Sequence, residues 1–232
     1  MGSVVTVIAD AKVWWPDPMA MKAAGRDYLL GFAAARRAFH PKLMLMVGAE
    51  TALAAIGSGN VTLGGWQYNS ELWRLLRADR EGASPALADL TDWLDNVTAC
   101  VSLARPHRSA VERVSRLLRK LVDRLPRTAG SERVLPLDKS VLNLLPEGPV
   151  DELTLVAPFY DPETSAVKTL LDQLRPATVT VVLQEGRSVV DTSRLAAVLA
   201  ESDAHVKVLN DHSPTYRHAK LVEWRIGPRR WA

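Results

Sequence analysis

A short pattern that sets an imidazole and an ammonium group before an apolar run occurs twice in this chain. The first copy reads FHPKLMLMV and carries His40 and Lys42, and the second reads YRHAKLVEWRI and carries His218 and Lys220. In each copy the histidine and the lysine lie two residues apart, directly before residues suited to a buried strand. Because internal similarity is the signature of a repeated structural unit, we expect two related halves.

The spacing of the pattern decides which side chains share a face. Residues i and i+2 of a strand point to the same side, so His40 and Lys42 are expected to lie together. The next predicted strand ends in Gly-Ser-Gly-Asn, which places Ser58 and Asn60 on one face, and the glycines allow close approach of backbone or ligand. Imidazole, ammonium, hydroxyl and amide groups together suit nucleophilic attack and oxyanion stabilisation, which makes a phosphodiester the expected target.

The remaining sequence has the pattern of an α/β protein with a helical segment in its middle. Apolar runs of strand type alternate with helix-type spacing on both sides of that segment. We therefore divide the chain into a first half, residues 1–80, a helical connector, residues 81–145, and a second half, residues 146–232. Strands are predicted at 4–9, 43–47, 53–56, 153–156, 178–183 and 206–209, and helices at 85–101, 107–127, 164–174 and 192–200.

Composition excludes several classes of protein. The chain has 232 residues, 47% of them hydrophobic, which suffices for a large core and argues against disorder. Its apolar runs fall far short of the roughly 20 residues that span a bilayer, and no secretory leader is visible. The single cysteine, Cys100, cannot form an internal disulfide. We therefore expect a cytoplasmic protein without a membrane partner.

The residues from His40 to Glu71 resemble the motif of the phospholipase D superfamily. That motif is His-x-Lys followed by Gly-Ser-x-Asn and a downstream acidic residue, and HPKLMLM…GSGNVTLGGWQYNSE matches its order and spacing. The resemblance implies two α/β/α halves packed about a pseudo-twofold axis, with both His-x-Lys pairs in one cleft. It also implies a reaction through a phosphohistidine that needs no metal and no other cofactor.

The resemblance gives each matching side chain a role. One histidine attacks phosphorus, the other protonates the leaving oxygen, and the lysines and the asparagine bind the phosphoryl oxygens. Carried over, His40 is the nucleophile, His218 the acid, Lys42, Lys220 and Asn60 the phosphoryl ligands, Ser58 an assisting hydroxyl, and Glu71 the group that orients a histidine. A second interpretation of Glu71 stays open, because ELWRLLR also suits the start of a helix.

Two departures from the family pattern affect these assignments. The fuller motif has an aspartate five residues after the lysine, whereas Val47 and Arg225 stand there in this chain, which favours the nuclease-like branch over the phospholipases. The sequence also stops before a second Gly-Ser-x-Asn. We expect either further chain beyond residue 232, with a C-terminal domain or partner, or a truncated second half. A homodimer that pairs two copies of His40 is a second way to supply both histidines.

A basic stripe is expected on the predicted helix 107–127. Arginine and lysine greatly outnumber acidic residues there and lie largely opposite the leucine face, and Arg113, Arg116 and Lys120 are candidate substrate-binding residues. The phosphate backbone of nucleic acid would be attracted to such a stripe, as would an anionic lipid surface. A solvated helix face without a partner is the third interpretation.

A third His-x-Lys pair shows that the pattern alone is weak evidence. His205 and Lys207 have the same spacing, but no glycine-rich sequence follows them. We therefore interpret this pair as an ordinary exposed strand face.

The expected function is that of a metal-independent phosphodiesterase, a nuclease that cleaves DNA through a phosphohistidine. One alternative is a lipid phosphodiesterase or phosphatidyltransferase, which would need an apolar acyl-binding cleft and interfacial loops. Another is a nucleic-acid-binding module of a larger protein that has lost catalysis. In that module His40→Ala would leave binding intact, and no turnover would be seen.

Overall fold

The protein is a mixed α/β structure made of two compact units. The computed structural model describes residues 4–12, 23–36, 39–136, 139–210 and 215–232. The first unit comprises residues 1–56 and 75–140, and the second comprises residues 57–74 and 141–232. This grouping differs from the stretches 1–80, 81–145 and 146–232, because residues 57–74 pack with the C-terminal part of the chain.

The strands of the first unit form two sheets. β1 and β2 pair in parallel, and β3 pairs antiparallel with β4 so that Leu43 lies opposite Ile56. The order of the second sheet is β3-β4-β5-β6. The strands are β1 (Thr6–Asp10), β2 (Leu29–Ala33), β3 (Leu43–Val47), β4 (Ala52–Gly57), β5 (Trp73–Asp79) and β6 (Gly82–Ala83).

The segment ELWRLLR forms a strand rather than a helix. Within β5, Leu76 and Ala78 are buried while the neighbouring residues Leu75 and Arg77 are exposed. Burial with a period of two is the pattern of a strand with one covered face. The interpretation of Glu71 as the start of a helix is therefore wrong.

Two amphipathic helices complete the first unit; the sequence predicts both helices but places them in a separate connector, residues 81–145. They are α1 (Ala86–Cys100) and α2 (Arg105–Arg124). Leu87 and Leu90 of α1 and Leu118 of α2 are fully buried, so the leucine faces form the core between the helices. No helix in the described ranges is long and apolar enough to cross a membrane.

The second unit is built around a five-stranded sheet of order β11-β10-β7-β8-β9. β7, β8 and β9 are parallel, and β10 is antiparallel to both β7 and β11. The elements are β7 (Glu152–Val156), α3 (Ser165–Leu174), β8 (Thr178–Gln184), α4 (Thr192–Leu199), β9 (Ala204–Leu209), β10 (Leu221–Ile226) and β11 (Arg229–Trp231).

The parallel strands follow the predicted alternation with helices. Leu153 and Leu155 of β7 and Val179 and Val181 of β8 are buried at alternate positions. Parallel neighbours need a crossover connection, and α3 and α4 supply it between β7, β8 and β9. The predicted strands and helices of this region are confirmed, with ends that differ by one or two residues.

Candidate active site

The glycine-rich segment 57–74 leads from β4 to β5 and belongs to the second unit. It contains one π-helical turn, Gly64–Tyr68, and then runs extended from Asn69. Two backbone hydrogen bonds join this extended part to the residues before β10: the Ser70 amide donates to the Tyr216 carbonyl at 2.8 Å, and the His218 amide donates to the Ser70 carbonyl at 2.9 Å. Residues far apart in sequence are thereby held side by side.

Glu71 is the centre of a hydrogen-bond network. The Ser58 hydroxyl donates to its Oε2 at 2.6 Å, and the Asn69 amide donates to its Oε1 at 3.2 Å. His218 Nδ1 lies 3.0 Å from each carboxylate oxygen. The Glu71 side chain is only 3% exposed and that of His218 11%, so the pair is largely shielded from solvent. A buried carboxylate with three donors is fixed in position.

These donors control the protonation of Glu71. Burial by itself raises the pKa of this carboxyl, but the hydrogen bonds from Ser58, Asn69 and His218, together with the charge of His218, lower it below its ordinary value. Glu71 is therefore ionised at neutral pH. An ionised Glu71 accepts hydrogen bonds only, so His218 Nδ1 must carry the proton that joins the two groups.

The second nitrogen of His218 faces a lysine. Lys220 Nζ lies 3.1 Å from His218 Nε2, and an ammonium group can only donate. With the proton on Nδ1, Nε2 presents its lone pair to Lys220, an assignment made from the hydrogen-bond network. Partial burial lowers the pKa of Lys220, and the charge of Glu71 opposes that shift. The lone pair of His218 Nε2, which can act as a nucleophile, therefore lies next to the ammonium group of Lys220.

A buried glutamine holds the chain that leads into His218. Gln184, 7% exposed at the end of β8, accepts from the Arg217 amide at 2.9 Å and donates to the Thr215 carbonyl at 2.9 Å. Both hydrogen-bonding groups of its side chain are therefore used on one short segment. This clamp gives His218 a fixed position although it lies outside the strands.

Two aromatic rings border the imidazole of His218. The Tyr216 ring centroid is 5.5 Å from it and the Phe159 centroid is 6.0 Å from it, the latter nearly edge-on at 75°. Burial raises the pKa of Tyr216, the charge of Glu71 adds to that shift, and Arg187 opposes it. Arg187 is thus close enough to act on the site electrostatically.

Glycine is required where the segment packs against itself. A Cβ atom on Gly59 would lie 2.6 Å from the Trp73 side chain and 2.8 Å from the Gly65 carbonyl oxygen. A Cβ atom on Gly65 would collide with the backbone of Asn60. The close approach expected of this glycine-rich sequence is confirmed, and the neighbour approached is the chain itself.

The structure brings together some of the predicted site residues and not others. Ser58, Glu71, His218 and Lys220 form one cluster in the second unit. Asn60 is exposed, and among the described contacts of Glu71 and His218 its amide does not occur. Its carbonyl accepts from the Thr62 amide at 2.8 Å, which makes it part of the turn.

His40 and Lys42 lie in the first unit, just before β3. His40 is exposed, and Lys42 Nζ is 3.2 Å from its Nδ1 and 3.0 Å from its Nε2. A group equally close to both ring nitrogens cannot lie along the lone pair of either one. We call each His-x-Lys pair with its surroundings a corner, the first at His40 and Lys42 and the second at His218 and Lys220. The carboxylate of the first corner is Asp10, which accepts from the Lys12 and Phe39 amides at 2.9 and 3.0 Å.

The charge environment of Asp10 is set by the backbone. The hydrogen bond from the Lys12 amide lowers the pKa of Asp10, burial opposes it, and the Phe39 amide and the charges of Lys12 and His40 add to the lowering. Asp10 fixes the backbone at Phe39, directly before His40. In the part of the chain that the structure describes, Asp10 is hydrogen-bonded to backbone amides and not to the ring of His40, so it orders the backbone of the first corner.

The candidate substrate-binding residues of α2 are exposed in the first unit. Arg113, Arg116 and Lys120 have no carboxylate within ion-pair distance in the described ranges. By contrast, Arg119 pairs with Asp92 and Asp95, and Arg124 pairs with Glu50. The predicted basic stripe is present, and part of its charge is neutralised within the unit.

Several residues of the site received no role from the sequence. Asn69 belongs to the motif that resembles the family, and it lies two residues before Glu71 on extended chain and so shares its face. Tyr216 likewise lies two residues before His218, whereas Phe159 and Gln184 reach His218 or its segment only through the fold. In the part of the chain that the structure describes, no group of three or more histidine, cysteine, aspartate or glutamate side chains is arranged to hold a metal ion.

Comparisons of this chain with protein-family models, with curated proteins and with solved structures gave no match. The interpretation of the site therefore rests on its own geometry and on the resemblance of its motifs.

Proposed function

We propose that the protein is a phosphodiesterase of the phospholipase D type that cleaves nucleic acid, with DNA as the expected substrate, through a phosphohistidine. One observation carries the proposal: Glu71 and His218, 147 residues apart, are joined by hydrogen bonds and shielded from solvent, and Ser58 and Lys220 contact the pair. These are four of the residues that the resemblance assigns to the reaction. Burial of an ionised carboxylate is costly unless hydrogen bonds satisfy it, which favours a functional interpretation of Glu71 and its partners.

The contacts of His218 support nucleophilic attack. Its Nε2 would form a bond to phosphorus while the bond from phosphorus to the leaving oxygen breaks. The positive charge that develops on the imidazole is stabilised by Glu71 at Nδ1, and Lys220 is placed to neutralise the phosphoryl oxygens. Water would then displace the histidine from phosphorus, which regenerates the free imidazole and releases the phosphate ester.

This assignment exchanges the two histidine roles that the resemblance implies. Within the described residues, no carboxylate is hydrogen-bonded to the ring of His40, the expected nucleophile, whereas Glu71 is bonded to the ring of His218, the expected acid. We therefore assign the attack to His218 and the protonation of the leaving oxygen to His40. The role of His40 rests on the resemblance alone.

The choice of nucleic acid rests on charge. The exposed cations of α2, Arg113, Arg116 and Lys120, suit a polyanionic chain, and Arg187 and Arg217 lie close to the candidate site. Each of these two groups of cations suits a phosphodiester that belongs to a polyanionic chain.

The test measures hydrolysis of oligonucleotides and of bis(p-nitrophenyl) phosphate in EDTA, followed by trapping of an acid-labile phosphoprotein. His218→Ala is expected to lose turnover by about 10⁴-fold or more and to lose the trapped label. The matched control is His205→Ala, which removes the histidine of the exposed pair on β9 and should keep wild-type rates. His40→Ala should lose oligonucleotide cleavage but keep most of the p-nitrophenyl reaction, because p-nitrophenolate leaves without a proton.

Three outcomes would contradict the proposal. Label that persists in His218→Ala and vanishes in His40→Ala would restore the original roles. Oligonucleotide binding without any turnover would identify a binding module, and hydrolysis of phosphatidylcholine without oligonucleotide cleavage would identify a lipid enzyme.

A further inference from the structure

We propose that the site selects single-stranded nucleic acid, because the aromatic rings beside His218 take an unpaired base next to the phosphate. This inference deepens the proposed function and rests on it for the position of the phosphate. The occupant is a nucleic-acid strand whose bases are free to leave a stack.

Phe159 is placed where a core phenylalanine would not be. Phe159 is 53% exposed, yet its ring lies edge-on to the imidazole of His218, with 6.0 Å between the two ring centroids. The loop that carries it is held by two backbone hydrogen bonds of 2.9 Å, from the Tyr160 amide to the Val189 carbonyl and from the Val189 amide to the Pro158 carbonyl. A large apolar ring is thus displayed to solvent on a fixed support beside the candidate nucleophile.

Tyr216 provides the second ring. It is half-buried, its centroid is 5.5 Å from that of His218, and its carbonyl accepts from the Ser70 amide at 2.8 Å. Backbone hydrogen bonds to a neighbouring segment hold the chain that carries each ring beside His218. Fixed aromatic rings bind a flat ligand without a large loss of side-chain entropy.

The short distance between these rings and the imidazole explains the preference for an unpaired base. A base attached next to a phosphate at Nε2 lies close to rings centred 5.5 and 6.0 Å from the imidazole. Base–aromatic stacking is worth about 1–3 kcal/mol per base. A base in a duplex is already stacked and paired, so it must first give up those contacts, whereas a single strand need not.

The positions of the charged residues favour a nucleic-acid strand over a lipid surface as the ligand of this site. Exposed apolar residues do occur in the second unit, at Val61, Leu63 and Trp66. The stretch GSGNVTLGGWQY that carries them contains no lysine or arginine, which interfacial segments use to hold anionic lipid. Cations lie instead beside the imidazole and Tyr216: Lys220 contacts His218, and the charge of Arg187 acts on Tyr216. Phosphates and flat bases at one place are the features of a nucleic-acid strand.

The experiment compares single- and double-stranded oligonucleotides of one sequence. The wild type should cleave the single strand with a kcat/KM at least about 10-fold higher, mainly through KM. Phe159→Ala should bring the ratio of the two kcat/KM values close to one, and Phe159→Tyr should restore it. The matched control is Val208→Ala, which removes a similarly exposed apolar side chain from β9 and should leave the ratio unchanged. A general loss of activity cancels in the ratio.

Binding makes the inference independent of catalysis. Phosphorothioate oligonucleotides, which resist cleavage, should bind the wild type more tightly as single strands by fluorescence anisotropy, and Phe159→Ala should abolish that difference. Equal affinity for both forms, or a difference that survives in Phe159→Ala, overturns the inference even if the protein is a nuclease. Preferential binding to vesicles of phosphatidylcholine and phosphatidylglycerol overturns it in favour of lipid. Absence of turnover on every diester with the binding difference intact would remove the proposed function alone.

Discussion

The two His-x-Lys corners have the same local sequence and different chemical surroundings. His218 is largely shielded, its Nδ1 is bound to Glu71, and its Nε2 faces Lys220. His40 is exposed, and the ammonium group of Lys42 lies equally close to both of its ring nitrogens. A spacing of two residues fixes only that the side chains share a face. The partner that sets the tautomer and orientation of a histidine comes from elsewhere in the chain.

The position of the carboxylate is the decisive difference. Glu71 keeps both oxygens for side-chain donors, including the imidazole, whereas Asp10 accepts from the backbone amides of Lys12 and Phe39. The first carboxylate acts on a reactive ring, and the second orders a backbone turn. Substitutions that remove or exchange these groups test whether the corners differ in function as they do in structure.

Removal of the Glu71 charge should have the largest effect. Glu71→Gln is expected to lower kcat by about 10²- to 10³-fold, because an amide neither stabilises the developing imidazolium nor fixes the proton on Nδ1. Asp10→Asn should lower kcat by less than about 10-fold, because one amide oxygen still accepts a backbone hydrogen bond. Initial rates on bis(p-nitrophenyl) phosphate at saturating concentration measure both. Similar losses in the two variants would mean that the corners are equivalent.

The pH dependence of thermal stability tests whether Glu71→Gln acts through the loss of charge or through the loss of packing. Its pKa is lowered in the folded protein, so its ionised form contributes stability above the ordinary carboxyl pKa. That contribution is lost as the pH falls through the lowered pKa. The difference in melting temperature between the wild type and Glu71→Gln should therefore shrink in acid, as followed by circular dichroism from neutral pH downward. A difference that does not change with pH would show that packing, and not charge, is lost.

Substitution of the two lysines should also lower activity more at the second corner than at the first, but by a smaller factor. Lys220→Ala removes an ammonium group that lies 3.1 Å from Nε2 of the buried His218, and we expect kcat/KM to fall by about 10²-fold. Lys42→Ala removes an ammonium group beside an exposed ring, where solvent weakens electrostatic effects, and the loss should stay below about 10-fold. The measurement is kcat/KM on bis(p-nitrophenyl) phosphate, which needs no leaving-group acid. A larger loss in Lys42→Ala would place the phosphoryl site at the first corner.

The last comparison, with the smallest expected effect, substitutes one glycine of each unit by alanine and measures the free energy of unfolding. Gly59→Ala places a Cβ atom 2.6 Å from Trp73 and should destabilise the protein by about 1–3 kcal/mol. Gly48→Ala, in the turn after β3, meets its nearest atom at 3.5 Å and should change stability by less than about 0.5 kcal/mol. Urea unfolding followed by circular dichroism distinguishes the two. A neutral Gly59→Ala would mean that the segment repacks without loss.

Much of the secondary structure follows from sequence because it depends on local periodicity. The leucine spacing of α1 and α2 and the alternation of Leu153 and Leu155 each predict the observed element. The segment at Trp73 was ambiguous, since a short run of leucine and arginine suits either period, and packing on one face made it a strand. The assignment of residues 57–74 to the second unit has no local signal, because it depends on hydrogen bonds from Ser70 to Tyr216 and His218.

The sequence by itself determined the types of reactive group and their spacing: two His-x-Lys pairs before apolar strands, and a glycine-rich turn that carries Ser58, Asn60 and Glu71. Only the tertiary structure decided which of them meet. Glu71 joined His218 rather than His40, Asn60 remained in its turn, and Gln184 and Phe159 entered the site without any motif of their own. The physical reason is that spacing along a strand fixes a face, whereas hydrogen bonds between residues 147 positions apart depend on how sheets and loops pack.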